Sequence, residues 1–272
     1  DRRHHRRRGG GLTVAAPVEL RDSVVVVTGA ASGIGRALAD RFEAEGARVV
    51  VRADLPGAFA DGTDGEAVDV TDRAAVTDLV ERTIERHGPI DLYCSNAGIA
   101  TAGGIDAPPE VWQRAWGVNV LGTVHAAAAL LPSVRARGRG HLLVTASAAG
   151  LLTNLGDAPY TATKHAAVGL AEWLSITHGD EGLGVSCLCP QGVRTPMVTG
   201  GLDAGELAAS VVEAMGLIEP EQVADAVVAG LADGRFLILP HPEVADYVRN
   251  KATDPDRWLG GMRKLQRRLR GD

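Results

Sequence analysis

The chain predicts a single-domain, doubly wound parallel α/β sheet, on three observations. A continuous β-branched run at 24–27 leads straight into a glycine-rich turn, Thr28-Gly29-Ala30-Ala31-Ser32-Gly33-Ile34-Gly35. Strand-like and helix-like segments then alternate along most of the chain, which builds parallel strands joined by right-handed helical crossovers. No Pro/Gly/Ser-rich linker divides the 272 residues, a length that one α/β core accommodates.

The elements follow in order. Residues 24–27 show no polar alternation, as expected of a strand buried on both faces. Residues 33–45 place Ile34, Ala37, Leu38, Ala39 and Phe42 at helical spacing. A second strand is read at 48–51, with further strands at 67–68, 92–94, 142–144, 185–188 and 236–239. Helices fit between them at 72–87, 109–131, 159–178 and 220–232. After Pro240 the pattern changes. Thr253 or Asp254 caps a helix with Pro255 in its first turn, and Trp258, Leu259, Met262, Leu265 and Leu269 form an apolar stripe. That stripe needs a partner, either the body or another subunit. The expected organisation is a basic tail at 1–19, a sheet domain at 20–240 and a helical extension at 241–272.

Composition narrows the function classes. Hydrophobic residues make up 45% with a mean hydropathy of +0.02, the profile of a globular protein. The apolar runs fall short of the ~18 residues a membrane span needs, so no membrane partner is expected. Cys94, Cys187 and Cys189 lie in strand-like segments and no secretory apolar region opens the chain. Buried thiols in a reducing, cytoplasmic setting are expected. The His and Cys residues show no ligand spacing, so no metal site is expected. The net charge of −6 conceals two basic ends, five Arg in the first eight residues and five Lys or Arg in the last ten. The body between them is strongly acidic, which argues against nucleic acid as a partner. Like-charge blocks usually lack structure, so the ends read as solvated extensions; salt-sensitive binding to an anionic surface is the rival reading.

Chemistry enters at the glycine turn. Gly29, Gly33 and Gly35 sit between a buried strand and a helix that starts near Gly33. Such glycines let the backbone approach a pyrophosphate, and the free N–H groups around Ser32, Gly33, Ile34 and Gly35 hold it with the positive end of the helix dipole. Asp54, about twenty residues on at the end of the second strand, suits the hydroxyls of an adenosine ribose and repels a 2′-phosphate. This favours NAD; Arg52 shifts the preference toward NADP if its side chain faces the pocket.

Tyr160 and Lys164 are four residues apart, so on a helix they share a face. Moving a hydride to or from a carbinol carbon leaves a proton to be handled, and a phenol can do so as general acid/base. Its free pKa is near 10, so work at neutrality asks for a drop of about three units, or ~4 kcal/mol; a neighbouring ammonium has the right sign. Ser147, just after a strand, can bond and polarise the substrate oxygen. Asn119, inside a long helix, reads as a kink or a satisfied polar group. His165 reads as a helix-surface residue, because no acidic partner or nucleophile elbow accompanies it.

With these residues in place, the chain resembles the short-chain dehydrogenase/reductase family, a Rossmann-type fold, over roughly residues 20–240. The resemblance rests on Thr28-Gly29-x-x-x-Gly33-Ile34-Gly35, Asp69, Asn96-Ala97-Gly98, Asn119, Ser147, Tyr160-x-x-x-Lys164 and Pro190-Gln191-Gly192-Val193-Arg194-Thr195. It implies that Asp69 and Val70 contact the adenine, and that Asn96, Ala97 and Gly98 line the adenosine ribose side. Thr195 would bond the nicotinamide carboxamide, with Pro190 and Val193 shaping that wall. Lys164 would bond the nicotinamide ribose beside Tyr160, and Asn119 would hold a water linking Lys164 to solvent. A homotetramer, or a homodimer, is also implied. Two departures stand out: Ser95 precedes Asn96 where the family usually has Asn, and Gln191 follows Pro190 where it usually has Gly.

The substrate pocket is expected from 148–155, 191–198 and 199–218. In the last, Gly200-Gly201 before an amphipathic helix reads as a hinged lid. Arg194 and Asp203 are the nearest fixed charges, so a largely apolar secondary alcohol or its ketone is the expected substrate. The rival from another class is a dinucleotide-binding regulator with little or no turnover.

Overall fold

The computed structural model describes residues 15–60 and 64–270. Seven parallel strands, β1 (Val24–Thr28), β2 (Val49–Asp54), β3 (Glu66–Ala67), β4 (Leu92–Ser95), β5 (Gly140–Thr145), β6 (Leu183–Leu188) and β7 (Leu237–Ile238), form one sheet. Their order is β3-β2-β1-β4-β5-β6-β7, so the winding reverses between β1 and β4 and a crevice opens at the carboxyl ends of those strands. The fold is the doubly wound, Rossmann-type α/β sheet that the alternating pattern predicts.

Period-two packing sorts each strand onto two layers. Val24 and Val26 of β1, with Tyr93, Leu142, Val144 and Val185, meet α2 (Arg73–His87), α4 (Gly122–Arg137) and α5 (Ala158–His178). Val25 and Val27, with Leu92, Cys94, Leu143 and Leu188, meet α1 (Gly33–Ala44) and α8 (Pro220–Ala232) through Leu38, Phe42, Val223, Val227 and Leu231. Both faces of β1 are closed, which is why its sequence is unbroken valine. Cys94, Cys187 and Cys189 are buried free thiols.

Several boundaries differ from expectation, each for a physical reason. The helix expected at 109–131 is composite: α3 (Pro109–Trp116), one π turn (Gly117–Leu121), then α4 running on to Arg137. By length and composition Pro109–Arg137 could cross a membrane, with hydropathy 1.4, yet Ala126, Leu130 and Val134 pack into the core. At the sheet edges, the strand expected at 67–68 moves back by one residue to β3, and the one expected at 236–239 shrinks to the two residues of β7. The expected tail boundary at 19 falls inside an attached segment, because Val18 N–H donates to Leu231 O at 3.0 Å and Leu20 is buried. The basic residues 1–14 lie outside the described residues.

The segment past β6 also differs. Gly200 and Gly201 are not a hinge; they lie inside α6 (Pro196–Asp203), and the break before α7 (Leu207–Ala214) falls at Gly205, with φ of +69°. The extension forms α9 (Val244–Thr253) and α10 (Pro255–Arg270), which fold back on the body. Lys251 Nζ donates to Leu151 O at 2.8 Å and Leu152 O at 3.0 Å, and lies 5.1 Å from the Trp258 ring centroid. Asp254 accepts the Arg257 N–H, as the capping pattern anticipates.

Candidate active site

A cleft of about 410 Å³ runs along the carboxyl edge of the sheet. Its lining includes Gly29, Ser32, Gly33, Ile34, Gly35, Asp54, Asp69, Val70, Asn96, Ala97, Gly98, Ser147, Tyr160, Lys164, Pro190, Val193 and Thr195. Sequence positions more than 160 apart therefore meet in one groove. Of the predicted site residues only Asn119 stands behind it.

The dinucleotide half is built on the turn after β1. Gly29 and Gly33 have φ of +68° and +53°, open to glycine at little cost, and a Cβ at Gly35 would collide with Gly29 O and Asn96. Ser32 precedes α1 with no side-chain cap, so the first-turn N–H groups face the cleft without a capping side chain. An anion fits that end of the helix. Thr28, quoted with the turn but given no role of its own by the sequence, is a hub. Its Oγ1 donates to Cys94 O at 3.2 Å and accepts Asn96 N–H at 3.0 Å and Ala97 N–H at 3.2 Å. Asn96 Nδ2 in turn donates to Thr28 O at 3.0 Å and Gly29 O at 3.4 Å, so this amide braces the turn from the β4 side.

At the tip of β2, Asp54 accepts Ala31 N–H at 2.9 Å through Oδ2 and Leu55 N–H at 2.8 Å through Oδ1. It holds the turn and still borders the cleft. Arg52 does not: its guanidinium pairs with Asp40 at 2.8 Å and Glu43 at 3.0 Å on α1, 14% exposed. Residues two apart on a strand share a face, but a long side chain goes where its partners are. Asp69, with Val70 beside it, receives Thr71 N–H at 2.9 Å and closes the local turn.

On the other half, Lys164 is buried with Nζ donating to Thr145 O at 2.9 Å and lying 5.5 Å from the Tyr160 ring centroid. Burial lowers this ammonium to about 8. Tyr160 moves opposite to expectation. Burial pushes the phenol up to about 12, with the Ser147 hydroxyl pulling down and Asp157 adding to the rise. The ammonium that was expected to depress it is turned onto the Thr145 carbonyl, and desolvation of the phenolate wins.

Ser147 Oγ donates to Pro190 O at 3.4 Å and accepts Ala149 N–H at 3.1 Å, held at the start of a short 3₁₀ turn. Asn119 sits in the π turn with its amide engaged: Oδ1 accepts Ile99 N–H at 2.9 Å, and Nδ2 donates to Ile99 O and Thr163 Oγ1, both at 3.0 Å. Those bonds make the side chain a brace between the loop after β4 and α5 rather than a ligand in the groove. Lys164 is a near neighbour, since a Cβ at Gly98 would meet both Asn119 Oδ1 and Lys164 Nζ at 3.3 Å. His165 is exposed, its Nδ1 on Thr161 O, as expected of a surface residue.

A second cavity of about 370 Å³ adjoins the cleft. It draws on all three expected segments, and Tyr247, Asn250, Trp258, Met262 and Leu265 of α9 and α10 close it. Part of the expected C-terminal stripe is therefore a wall of this cavity, whereas Leu259 stays 45% exposed. Arg194 and Asp203 do not line it; Arg194 pairs with Glu219 at 2.9 Å. The carboxylate present is Glu206, which the sequence reading left out. The two cavities share Ser147, Tyr160, Gln191, Met197 and Val198. A groove that starts at the glycine turn thus meets an apolar chamber at a hydroxyl and a phenol.

Comparison with known proteins agrees with this geometry. The family model described as short chain dehydrogenase matches residues 23–203. The chain is 37% identical over 256 residues to 1-deoxy-11-beta-hydroxypentalenate dehydrogenase of Streptomyces avermitilis, covering 89% of this chain and 93% of that protein. It is 36% identical to meso-2,3-butanediol dehydrogenase of Serratia marcescens, covering 79% and 90%. Among solved structures, a short chain dehydrogenase/reductase from Burkholderia phymatum in complex with NAD superimposes with a TM-score of 0.78 at 30% identity, over 88% of this chain and 95% of that one. The chain belongs to the short-chain dehydrogenase/reductase family of oxidoreductases.

Proposed function

We propose that the protein transfers a hydride between NAD and an uncharged, mainly apolar secondary alcohol or its ketone, with Tyr160 as general acid/base. The observation that carries this reading is the junction itself: Ser147 and Tyr160 border both the cleft and the apolar chamber. An oxygen seated there is within reach of a hydrogen-bond donor and a proton carrier together. The uncapped turn of α1 binds the pyrophosphate, Asp54 the adenosine ribose, and Thr195, Pro190 and Val193 border the nicotinamide end. Arg52, tied to Asp40 and Glu43, leaves Asp54 without a cationic rival, which supports NAD over NADP.

Bound NAD supplies the hydride-accepting carbon and, when oxidised, a positive charge that favours the phenolate. Ser147 orients the substrate oxygen. Tyr160 takes the proton at its Oη during oxidation and returns it during reduction, while Lys164 supplies charge from one helical turn away. Asn119 acts through position, by tying the Ile99 loop to α5. The chamber keeps water from the reacting carbon, and Glu206 in its wall disfavours a carboxylate substrate.

Further expectations belong to the same proposal. Exposed Trp116, Leu121 and Val124, with Trp173 and Ile176 on α5, offer apolar area for a homotetramer, which sedimentation would test. The buried thiols fit a reducing, cytoplasmic setting. The deciding experiment is an absorbance screen at the reduced-nicotinamide band, with NAD and NADP against paired alcohols and ketones. Turnover of apolar secondary alcohols with NAD is the expected result. Tight binding of NADH without turnover of any pair would turn the reading toward a dinucleotide-binding regulator.

A further inference from the structure

The α10 wall of the chamber is fastened at one place. α10 has no buried residue, and its apolar face of Trp258, Met262 and Leu265 borders a cavity rather than a packed core. A helix of 16 residues takes most of its stability from packing, so an apolar face over open space holds it weakly. The hydrogen bonds at its start reach no farther than the joint with α9: the N–H groups of Arg257 and Trp258 donate to Asp254 Oδ1 and Asp254 O, both at 3.0 Å.

Lys251, one turn before that joint, ties α9 and α10 to the body. Its Nζ donates to Leu151 O at 2.8 Å and Leu152 O at 3.0 Å, and lies 5.1 Å from the Trp258 ring centroid. Hydrogen bonds from an ammonium are stronger than neutral ones, and an aromatic face attracts the same charge. The N–H groups of Leu151 and Leu152 donate to Ala148 O at 3.1 and 2.8 Å, so the gripped carbonyls belong to the turn that starts at Ser147. One charge therefore joins the Ser147 turn, α9 and the indole. Trp258 lines the chamber but not the cleft, so it meets the part of a substrate remote from the reacting carbon.

We propose that Lys251 is a positioning residue that acts through Trp258, holding the indole in the chamber wall where it binds the apolar body of the substrate. The substrate class this fits is a secondary alcohol or ketone whose apolar body reaches from the Ser147–Tyr160 junction to α10, in preference to a short one that fills the junction alone. This rests on the dehydrogenase reading and deepens it. Contact at Trp258 is the same before and after the hydride moves, so it shows in KM and not in kcat.

The test measures binding in a pair that cannot react. Protein saturated with NADH is titrated by calorimetry with 2-butanol and with 2-octanol. The longer alcohol is expected to bind about tenfold tighter or more. Lys251→Met keeps the apolar stem and removes the charge; it should weaken 2-octanol about fivefold or more and leave 2-butanol and NADH within about twofold. Lys251→Arg, still a cation able to reach two carbonyls, should retain most of the long-chain affinity. Trp258→Ala should weaken 2-octanol too, and the double variant should lose no more than Trp258→Ala alone. With NAD as oxidant, KM for 2-octanol should rise in Lys251→Met while kcat holds. Thermal unfolding checks that the variants fold.

An unchanged 2-octanol affinity in Lys251→Met, an equal loss for both alcohols, a loss as large in Lys251→Arg, or losses that add in the double variant would overturn the assignment. Equal or absent binding of the two alcohols by the unaltered protein would overturn the substrate class. Length-dependent binding that follows Lys251 and Trp258, with oxidation of neither alcohol, would instead sink the dehydrogenase reading and leave Lys251 as the fastening of a ligand chamber.

Discussion

Asp157 Oδ1 accepts the backbone N–H of Tyr160 at 3.0 Å, so a buried carboxylate fixes the first turn of the helix that carries the phenol. The same side chain receives the Thr101 hydroxyl at 2.6 Å and the N–H groups of Thr101 and Ala102 at 2.7 and 2.9 Å. Asp157 is 1% exposed. It joins the loop after β4 to α5 on one side of the site, as Asn119 does on another.

Replacing Asp157 should therefore cost stability and rate together. Asp157→Ala removes a helix cap, about 1 kcal/mol, and takes the acceptor from the half-buried Thr101 N–H and the Ala102 N–H, about 0.5–1 kcal/mol each. A loss of about 2–3 kcal/mol is expected by chemical denaturation. Turnover should fall while NADH affinity holds, because the damage sits at Tyr160 and away from α1. An unchanged denaturation midpoint would show that the network carries no weight.

The pH dependence follows from the direction of the Tyr160 shift. With the phenol raised to about 12 by burial, Tyr160 is a proton donor at neutral pH. Ketone reduction should be flat near neutrality and decline on the alkaline side. Alcohol oxidation needs the phenolate, so log kcat/KM should climb with pH at about one unit per unit. Tyr160→Phe should lower both directions by about 10²- to 10⁴-fold, with NADH binding retained. An oxidation rate that falls with rising pH across the neutral range would contradict this assignment.

Asp54→Ala tests the cofactor preference. The carboxylate borders the cleft next to Ala31, and its removal takes away both a ribose acceptor and the repulsion of a 2′-phosphate. The NAD to NADP ratio of kcat/KM should contract by about one to two powers of ten, the effect of about 1–3 kcal/mol. A protein that already prefers NADP would contradict the reading of β2.

His141 sets an acid limit on stability. It is buried, with Nε2 on Ser186 Oγ at 3.0 Å, and burial lowers it from 6.5 to about 4. The unfolded chain takes up a proton near pH 6.5 that the folded chain refuses. The stabilising contribution is complete above about pH 6.5 and is lost as pH falls toward 4, about 3 kcal/mol in all. His141→Leu should flatten the unfolding free energy between those values, since Ser186 keeps its bond to Arg235 O. An unaltered slope would assign the acid sensitivity elsewhere; His241, also lowered by burial, acts in the same direction.

Much of the groove was legible in the linear sequence. The run into Gly29, the four-residue spacing of Tyr160 and Lys164, and Asp54 at a strand end are local patterns that the backbone periods of strand and helix express directly. Asp157 had a local signal too, an acidic residue just before Ala158-Pro159 at a helix start, which marks an N-cap. At Asn119 a polar residue inside a long helix marked a kink or a satisfied group, but not a π turn, because helical periodicity does not register one inserted residue.

The sequence by itself determined the winding of the sheet, the glycine turn after β1 and the shared helix face of Tyr160 and Lys164, because each is written within a few residues and one or two backbone periods. Only the tertiary structure decided where long side chains point and what shares a cavity. Arg52 turned to Asp40 and Glu43, Lys164 to Thr145 O, and Gln191 to Met215, while α10 came back to wall the chamber beside Glu206. These outcomes depend on partners from 9 to 100 residues away, and on burial, which raised the phenol that a local charge argument had lowered. Desolvation is a property of the packed molecule, and no spacing along the chain records it.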